Sequence, residues 1–269
     1  MKLTFKQFLQ ETILEDISIE GDSVRITSQN YKSASTKDSI STYFRTQPYV
    51  THVKGVDADV YSLMNYVSSP TSSDILKSLK GGGPYKVNDK QFASLMAQVK
   101  EASTKLIKQA KPDVIIYPKS RSPLVKKFMD EIASIYPTAK VLPDSFVKSV
   151  LSAEDVEPLI NKKHPAWKKF AEENPKAVHE LEMSLKRQIK NGELELKKLY
   201  KPHLKFIKNF IELKDAYEVL DKVLGKNVLV IDDILSTGST IAEMIRQIAE
   251  LEPAKIIGLT MFKVTTKPK

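Results

Sequence analysis

Two adjacent aspartates, Asp232 and Asp233, close the apolar run 228–231, and the turn Thr237-Gly238-Ser239-Thr240 follows within a few positions. Carboxylates side by side accept hydrogen bonds from vicinal hydroxyls, or hold a hard cation such as Mg2+. The hydroxyls of Ser236, Thr237, Ser239 and Thr240 are donors, and Gly238 lets the backbone approach a ligand closely. The apolar pattern "STIAEMIRQIAEL" that comes next reads as a helix, whose N-terminus offers unpaired N–H groups and a partial positive charge to a phosphate. Carboxylates repel phosphate, so the two halves of the stretch must serve different parts of one ligand. A ribose 5-phosphate with free 2- and 3-hydroxyls satisfies both.

These residues need a scaffold that ends a buried strand beside a helix start. From residue 89 onward the chain supplies one. "DKQFASLMAQVKEASTKLIKQA" reads as a long amphipathic helix stopped by Lys111-Pro112, "DVIIYP" as a short apolar strand, and "SPLVKKFMDEIASIY" as a helix with Pro123 in its first turn. "AKVLPDSFVKS" is a second strand, broken or at an edge, because Pro143 has no N–H to give a ladder. "KNFIELKDAYEVLDKVLGK" suggests a strand and short helix, and residues 227–264 read strand, helix, strand. Apolar strands alternating with amphipathic helices imply an α/β fold, a Rossmann-like parallel sheet flanked by helices. Ligands of such sheets bind beyond the carboxyl ends of the strands.

The stretch 228–240 closely resembles the phosphoribosyl diphosphate (PRPP) signature of the type I phosphoribosyltransferases. That family shows an apolar strand, Asp-Asp, three residues, then Thr-Gly-x-Thr. The resemblance implies that Asp232 and Asp233 contact the ribose hydroxyls and Mg2+, and that Ser236, Thr237, Gly238, Ser239 and Thr240 bind the 5-phosphate. An Ile-Asp-Asp strand end also occurs in response-regulator receivers, but it opens those domains and here lies near the C-terminus. A Rossmann strand with an incidental Asp pair is the other competing reading. Lys119, Ser120, Arg121 and Ser122 follow the "DVIIYP" strand where the family binds pyrophosphate. Ser120-Arg121-Ser122 looks like the Ser-Arg-Gly of adenine phosphoribosyltransferases, with serine where glycine is usual. Lys148 falls where relatives carry a catalytic-loop Lys or Arg. Relatives acting on hypoxanthine and guanine have Asp at the position of Ser236, so serine there counts against a 6-oxopurine acceptor.

The resemblance therefore implies an Mg2+-dependent enzyme that joins ribose 5-phosphate from PRPP to a small-molecule acceptor, in a cytoplasmic setting and as a homodimer. It covers about 110–150 and 205–265. Residues 1–95 remain as an N-terminal hood or accessory subdomain, and 96–269 as the core, with a helical insertion at 151–205. Between residues 161 and 208, thirteen Lys or Arg stand against six Glu, an excess of seven within a chain of net charge +9. A solvated helical face explains such a run, and nucleic-acid binding is the sharper alternative. A non-catalytic regulator that keeps the fold is the second reading of the whole chain.

The N-terminal half is less legible. "EDISIEGDSVRITSQN" suggests a hairpin, and "DADVYSLMNYV" and "SSDILKSL" suggest helices. Lys80 precedes three glycines, which could cradle a phosphate. No strand precedes them and no Lys-Ser/Thr pair follows, so a flexible hinge is the favoured reading. Phe5, Phe8 and Leu9 recur at helical spacing. Residues 1–11 also resemble the head-targeting peptides of T4-like bacteriophages, with an apolar-x-Glu cleavage site at Glu11, which would place a bacteriophage protein in the virion. No run of eighteen apolar residues exists, so no transmembrane helix is expected. With no cysteine, the chain has no disulfide, no thiolate metal site and no cysteine nucleophile.

Overall fold

The computed structural model describes residues 15–20, 23–28, 44–45, 49–53, 56–67, 70–120, 122–154, 156–190 and 192–265. The reading of residues 1–11, and that of Arg121, lie outside them. Two N-terminal strands, β1 (Glu15–Glu20) and β2 (Ser23–Ser28), pair antiparallel as the expected hairpin. Then come β3 (Phe44–Arg45), β4 (Tyr49–His52), β5 (Ala58–Val67), the helices α1 (Pro70–Leu79) and α2 (Asp89–Ala110), β6 (Val114–Pro118), α3 (Pro123–Ile135) and β7 (Lys140–Lys148). A long excursion follows, carrying α4 (Trp167–Glu173), α5 (Pro175–Gln188), β8 (Ile189–Lys190) and β9 (Glu193–Leu194). The chain ends with β10 (Ile211–Leu213), α6 (Ala216–Val223), β11 (Asn227–Leu235), α7 (Ser239–Ala249) and β12 (Lys255–Thr265).

Among the described residues, eight strands form the main sheet, in the order β10-β7-β6-β11-β12-β5-β3, with β4 also against β5. The five central strands are mutually parallel, and antiparallel strands close both sides. The α/β expectation holds, with β11 in the middle. Successive residues of β11 serve opposite faces, because side chains alternate across a strand. Leu229 and Ile231 join a core with α1, α2 and α3, and Val228 and Val230 join a second core with α7. Burial on both faces is why the strand reads as continuous hydrophobic sequence.

One reading changes. "DADVYSLMNYV" is not helical: it is β5, parallel to β12 and inside the main sheet although it lies in the segment 1–95. Val60, Leu63 and Met64 are all buried, and a strand covered on both faces has the same unbroken apolar look as a buried helix. In β7, Pro143 sits at a break in the ladder, as the sequence suggests. The register against β6 shifts between Ile116 and Pro118, Asp144 has φ +53°, and β10 covers Phe146 to Lys148.

The excursion is not a detached appendage. Leu181 and Leu185 of α5 are fully buried, and with Leu159, Phe206 and Ile207 they share one core with Val228 and Val230 of β11. Trp167, Phe170 and Phe206 stack within 4.6–5.7 Å of one another. The Glu243 carboxylate on α7 accepts from the Asn209 N–H at 2.8 Å, and Asn209 Nδ2 donates to the Pro158 carbonyl at 2.9 Å.

Candidate functional site

β11 loses its neighbour on one side before it ends. Pairing with β6 stops at Val230, whereas pairing with β12 runs on to Leu235. Asp232 and Asp233 therefore lie within the strand, where the sheet opens between β6 and β11 at their carboxyl ends. They do not follow the strand, as the sequence suggests. Asp232 faces Thr260 in register, and Thr260 faces Ser62 of β5; those two buried hydroxyls share a hydrogen bond of 2.7 Å.

The Asp233 N–H donates to Asp232 Oδ1 at 2.9 Å. Burial first, and then the Asp233 carboxylate, push the Asp232 carboxyl up to about 8, so it holds a proton at neutral pH. Asp233 forms an ion pair with Lys80. Sequence reasoning had singled out Lys80 but not its partner. The only sequence signal was a lysine set against three glycines, and the contact bridges 153 positions of chain.

The turn after β11 leads into the start of α7. Gly238 is the residue before α7, with φ +78° and ψ 1°, a conformation that glycine adopts without strain. Its carbonyl accepts the first helical bond, from the Ala242 N–H at 2.9 Å. Ahead of that bond, the Ser239 N–H donates to the Thr237 hydroxyl at 3.4 Å, and the N–H groups of Thr240 and Ile241, which have no intrahelical acceptor, can meet an oxyanion. Thr237 and Ser239 share a hydroxyl–hydroxyl hydrogen bond of 2.9 Å, which holds the turn together.

The β6 exit faces the same opening. The Lys119 N–H donates to the Phe146 carbonyl at 2.9 Å, tying the loop to β7, and the exposed Ser120 hydroxyl accepts from the Ser122 N–H at 3.1 Å. That N–H, expected to serve a ligand, is engaged within the loop. The Ser122 hydroxyl sits at the start of α3 without a capping bond, buried and with no hydrogen-bond partner. Lys148 lies two strands from the carboxylates, at the end of β7, where it pairs with Glu193 of the excursion. The structure thus sets 232–240 beside the exit that carries Lys119, Ser120 and Ser122, and leaves Lys148 apart.

No group of three or more His, Asp or Glu side chains suited to a metal exists among the described residues. Two adjacent carboxylates fit Mg2+ that arrives with a phosphorylated ligand, since this ion is held by one or two carboxylates and completes its shell with phosphate and water.

Comparison with known proteins places the C-terminal part of this arrangement. Residues 186–269 match the family model described as phosphoribosyl transferase domain. A search of curated proteins finds no match. Among solved structures, a purine phosphoribosyltransferase from Pyrococcus horikoshii Ot3 aligns at 12% identity and TM-score 0.33, over 66% of this chain and 90% of that one. An alanine mutant from an analysis of an invariant aspartic acid in HPRTs aligns at 11% identity and TM-score 0.35, over 64% and 68%. The matched segment 186–269 holds β10, α6, β11, α7 and β12, whereas Lys80 and the 119–122 loop lie outside it. Residues 186–269 are thus similar to a phosphoribosyl transferase domain, and Asp232, Asp233 and the 236–240 turn lie inside the matched segment.

Proposed function

We propose that the protein is an Mg2+-dependent phosphoribosyltransferase that moves ribose 5-phosphate from PRPP to a nucleobase-like acceptor and releases pyrophosphate. The observation that carries this reading is the meeting of two unlike anion sites around one carboxylate pair, at the open carboxyl ends of β6 and β11. The 5-phosphate is assigned to Ser236, Thr237, Gly238, Ser239 and Thr240 at the start of α7. The ribose hydroxyls donate to Asp232 and Asp233, which would also hold Mg2+; the ion would lower the charge of the departing pyrophosphate. Pyrophosphate is assigned to Lys119, Ser120, Arg121 and Ser122. In the transfer, the bond from C1 to the diphosphate oxygen breaks and its electron pair leaves with pyrophosphate. An acceptor nitrogen then bonds to C1 and gives up its proton. The protein's part is electrostatic and positional, because the cation-like sugar is stabilised by groups already in place.

Acceptor recognition is assigned to residues 1–95, and Lys148 to a segment that closes over the reaction from 151–205. Pyrophosphate release from PRPP and Mg2+, followed over a panel of purine and pyrimidine bases, tests the reading. Release with one base, abolished in Asp232→Asn/Asp233→Asn, supports it, and PRPP binding without release for any base overturns catalysis.

A second reading is favoured by the charge excess of seven between residues 161 and 208. There the protein is a non-catalytic PRPP-fold regulator or phage head-associated protein whose basic segment binds nucleic acid. Retention of an oligonucleotide that weakens steeply with salt would support it, because each neutralised phosphate releases counterions.

A further inference from the structure

The Lys80 turn is built and not slack. Gly82 N–H donates to the Lys77 carbonyl and Gly81 N–H to the Ser78 carbonyl, each at 2.9 Å, the paired bonds of a Schellman cap on α1. Gly81 takes the required left-handed backbone, φ +86°. A Cβ on Gly83 would stand 2.2 Å from the Ser78 backbone nitrogen, and the Tyr85 N–H donates to the Ser78 hydroxyl at 2.9 Å. The expected hinge is a fixed corner, and Lys80 leaves it as the last residue of the cap.

This corner touches both strand exits. Its lysine pairs with Asp233 on β11, and Gly81 lies against Pro123, the first residue of α3, directly after the buried and unpartnered Ser122 hydroxyl. Of the ion pair, the Asp233 side chain is 14% exposed and that of Lys80 32%. A ligand whose hydroxyls take the carboxylate must displace the ammonium. A displaced ammonium, partly withdrawn from water, needs another anion within reach of the same corner, and the neighbouring exit is the one assigned to diphosphate.

The geometry points to Lys80 as a further binding residue, whose ammonium exchanges Asp233 for the diphosphate of PRPP. This rests on the PRPP reading of the site and deepens it. The exchange discriminates between ligands. One that carries both ribose hydroxyls and diphosphate breaks the ion pair and restores an anion to Lys80. Ribose 5-phosphate, or a product nucleotide with a single phosphate, breaks the pair and gives nothing back. Lys80 thereby favours substrate over product at one shared site.

Calorimetry on the full chain, with and without Lys80→Met, tests this against three Mg2+-containing ligand solutions: PRPP, pyrophosphate and ribose 5-phosphate. The expected pattern is at least tenfold weaker PRPP and pyrophosphate binding, with ribose 5-phosphate binding unchanged or tighter. Lys80→Arg should retain most of the PRPP affinity. Equal losses for all three ligands, or no change for any, overturn the exchange while leaving the PRPP site standing. A wild-type chain that binds none of the three overturns the site and the exchange together. Amine-reactive labelling of the wild type, read by mass spectrometry, needs no variant. Lys80 should label faster with saturating ribose 5-phosphate than with PRPP, and equal labelling with both bound ligands overturns the proposal.

Discussion

The β6 and β11 exits occupy equivalent places in the sheet, and each feeds the N-terminus of a helix. Their chemistry differs at every step. The β11 exit is acidic, then hydroxyl-rich, and its donors are organised among themselves: Thr237 bonds Ser239, and Gly238 turns the backbone into α7. The β6 exit has no carboxylate, starts with Lys119 and leaves the Ser122 hydroxyl buried and unpaired. One exit is complete without ligand, and the other lacks an acceptor. The contrast teaches that the fold supplies two strand exits that each feed a helix start, while the residues at each decide its charge and its hydrogen bonding.

Removing the acidic half should erase the difference most. Asp232→Asn with Asp233→Asn is expected to weaken Mg2+-PRPP binding by a hundredfold or more, since each hydrogen bond to a charged group contributes about 1.5–3 kcal/mol. At the other exit, Lys119→Ala should cost about tenfold for pyrophosphate and leave ribose 5-phosphate binding unchanged, about 1.4 kcal/mol for one ligand only. Calorimetry with the two ligands separates the exits. Equal losses for both ligands in Lys119→Ala would make the exits one site.

The next effect is on pH. The Asp232 carboxyl ordinarily titrates near 3.8 and in the fold is pushed up to about 8, by burial first and by Asp233 second. Between those values the folded state holds a proton that the unfolded chain has released, so stability falls as pH rises. The contribution is intact below about 4 and fully lost above about 8. Thermal unfolding of the protein in chelator should show a midpoint that drops from pH 5 to pH 8, by several degrees on the scale expected of a chain this size. Asp232→Asn should flatten that slope. Lys119 variants should not, because no carboxylate stands at their exit.

Gly238→Ala is a smaller, local break. At φ +78° an L-residue is strained, and the added Cβ would meet Leu235 Cδ1 at 3.2 Å. A loss of about 1–2 kcal/mol is expected, together with weaker ribose 5-phosphate binding and unchanged pyrophosphate binding. Chemical denaturation and calorimetry check the two parts.

What was legible in the sequence follows from locality. The β11 exit lies within thirteen consecutive residues, so strand, carboxylates, turn and helix start can be read in one pass. The β6 exit is equally short, so its candidate residues can be named from four consecutive positions. Lys80 was noticed but misread, because its meaning depends on Asp233, far along the chain and on another strand. β5 was taken for a helix because a two-sided buried strand loses the alternation that marks strands. The basic excursion reads in sequence only as a helical insertion, because charge counts describe its surface. Its buried leucines and Phe206 share the core of β11, a fact about packing that composition does not contain.

The finest test compares two hydroxyls. Thr237→Ala removes a hydroxyl that bonds Ser239 at 2.9 Å and should cost roughly 0.5–1.5 kcal/mol of stability, the ordinary net value of such a bond. Ser122→Ala removes a buried hydroxyl with no partner, whose desolvation is uncompensated in the ligand-free protein. Its loss should leave stability unchanged or raise it by up to about 1 kcal/mol, toward the low end of the penalty for an unsatisfied buried group. Pyrophosphate affinity should fall in the same variant, because the hydroxyl then has no part in meeting the ligand. Opposite signs for stability and affinity in Ser122→Ala, set against a plain stability loss in Thr237→Ala, would mark the β6 exit as the one held open for its ligand. A stability loss in Ser122→Ala equal to that in Thr237→Ala would make the two exits alike.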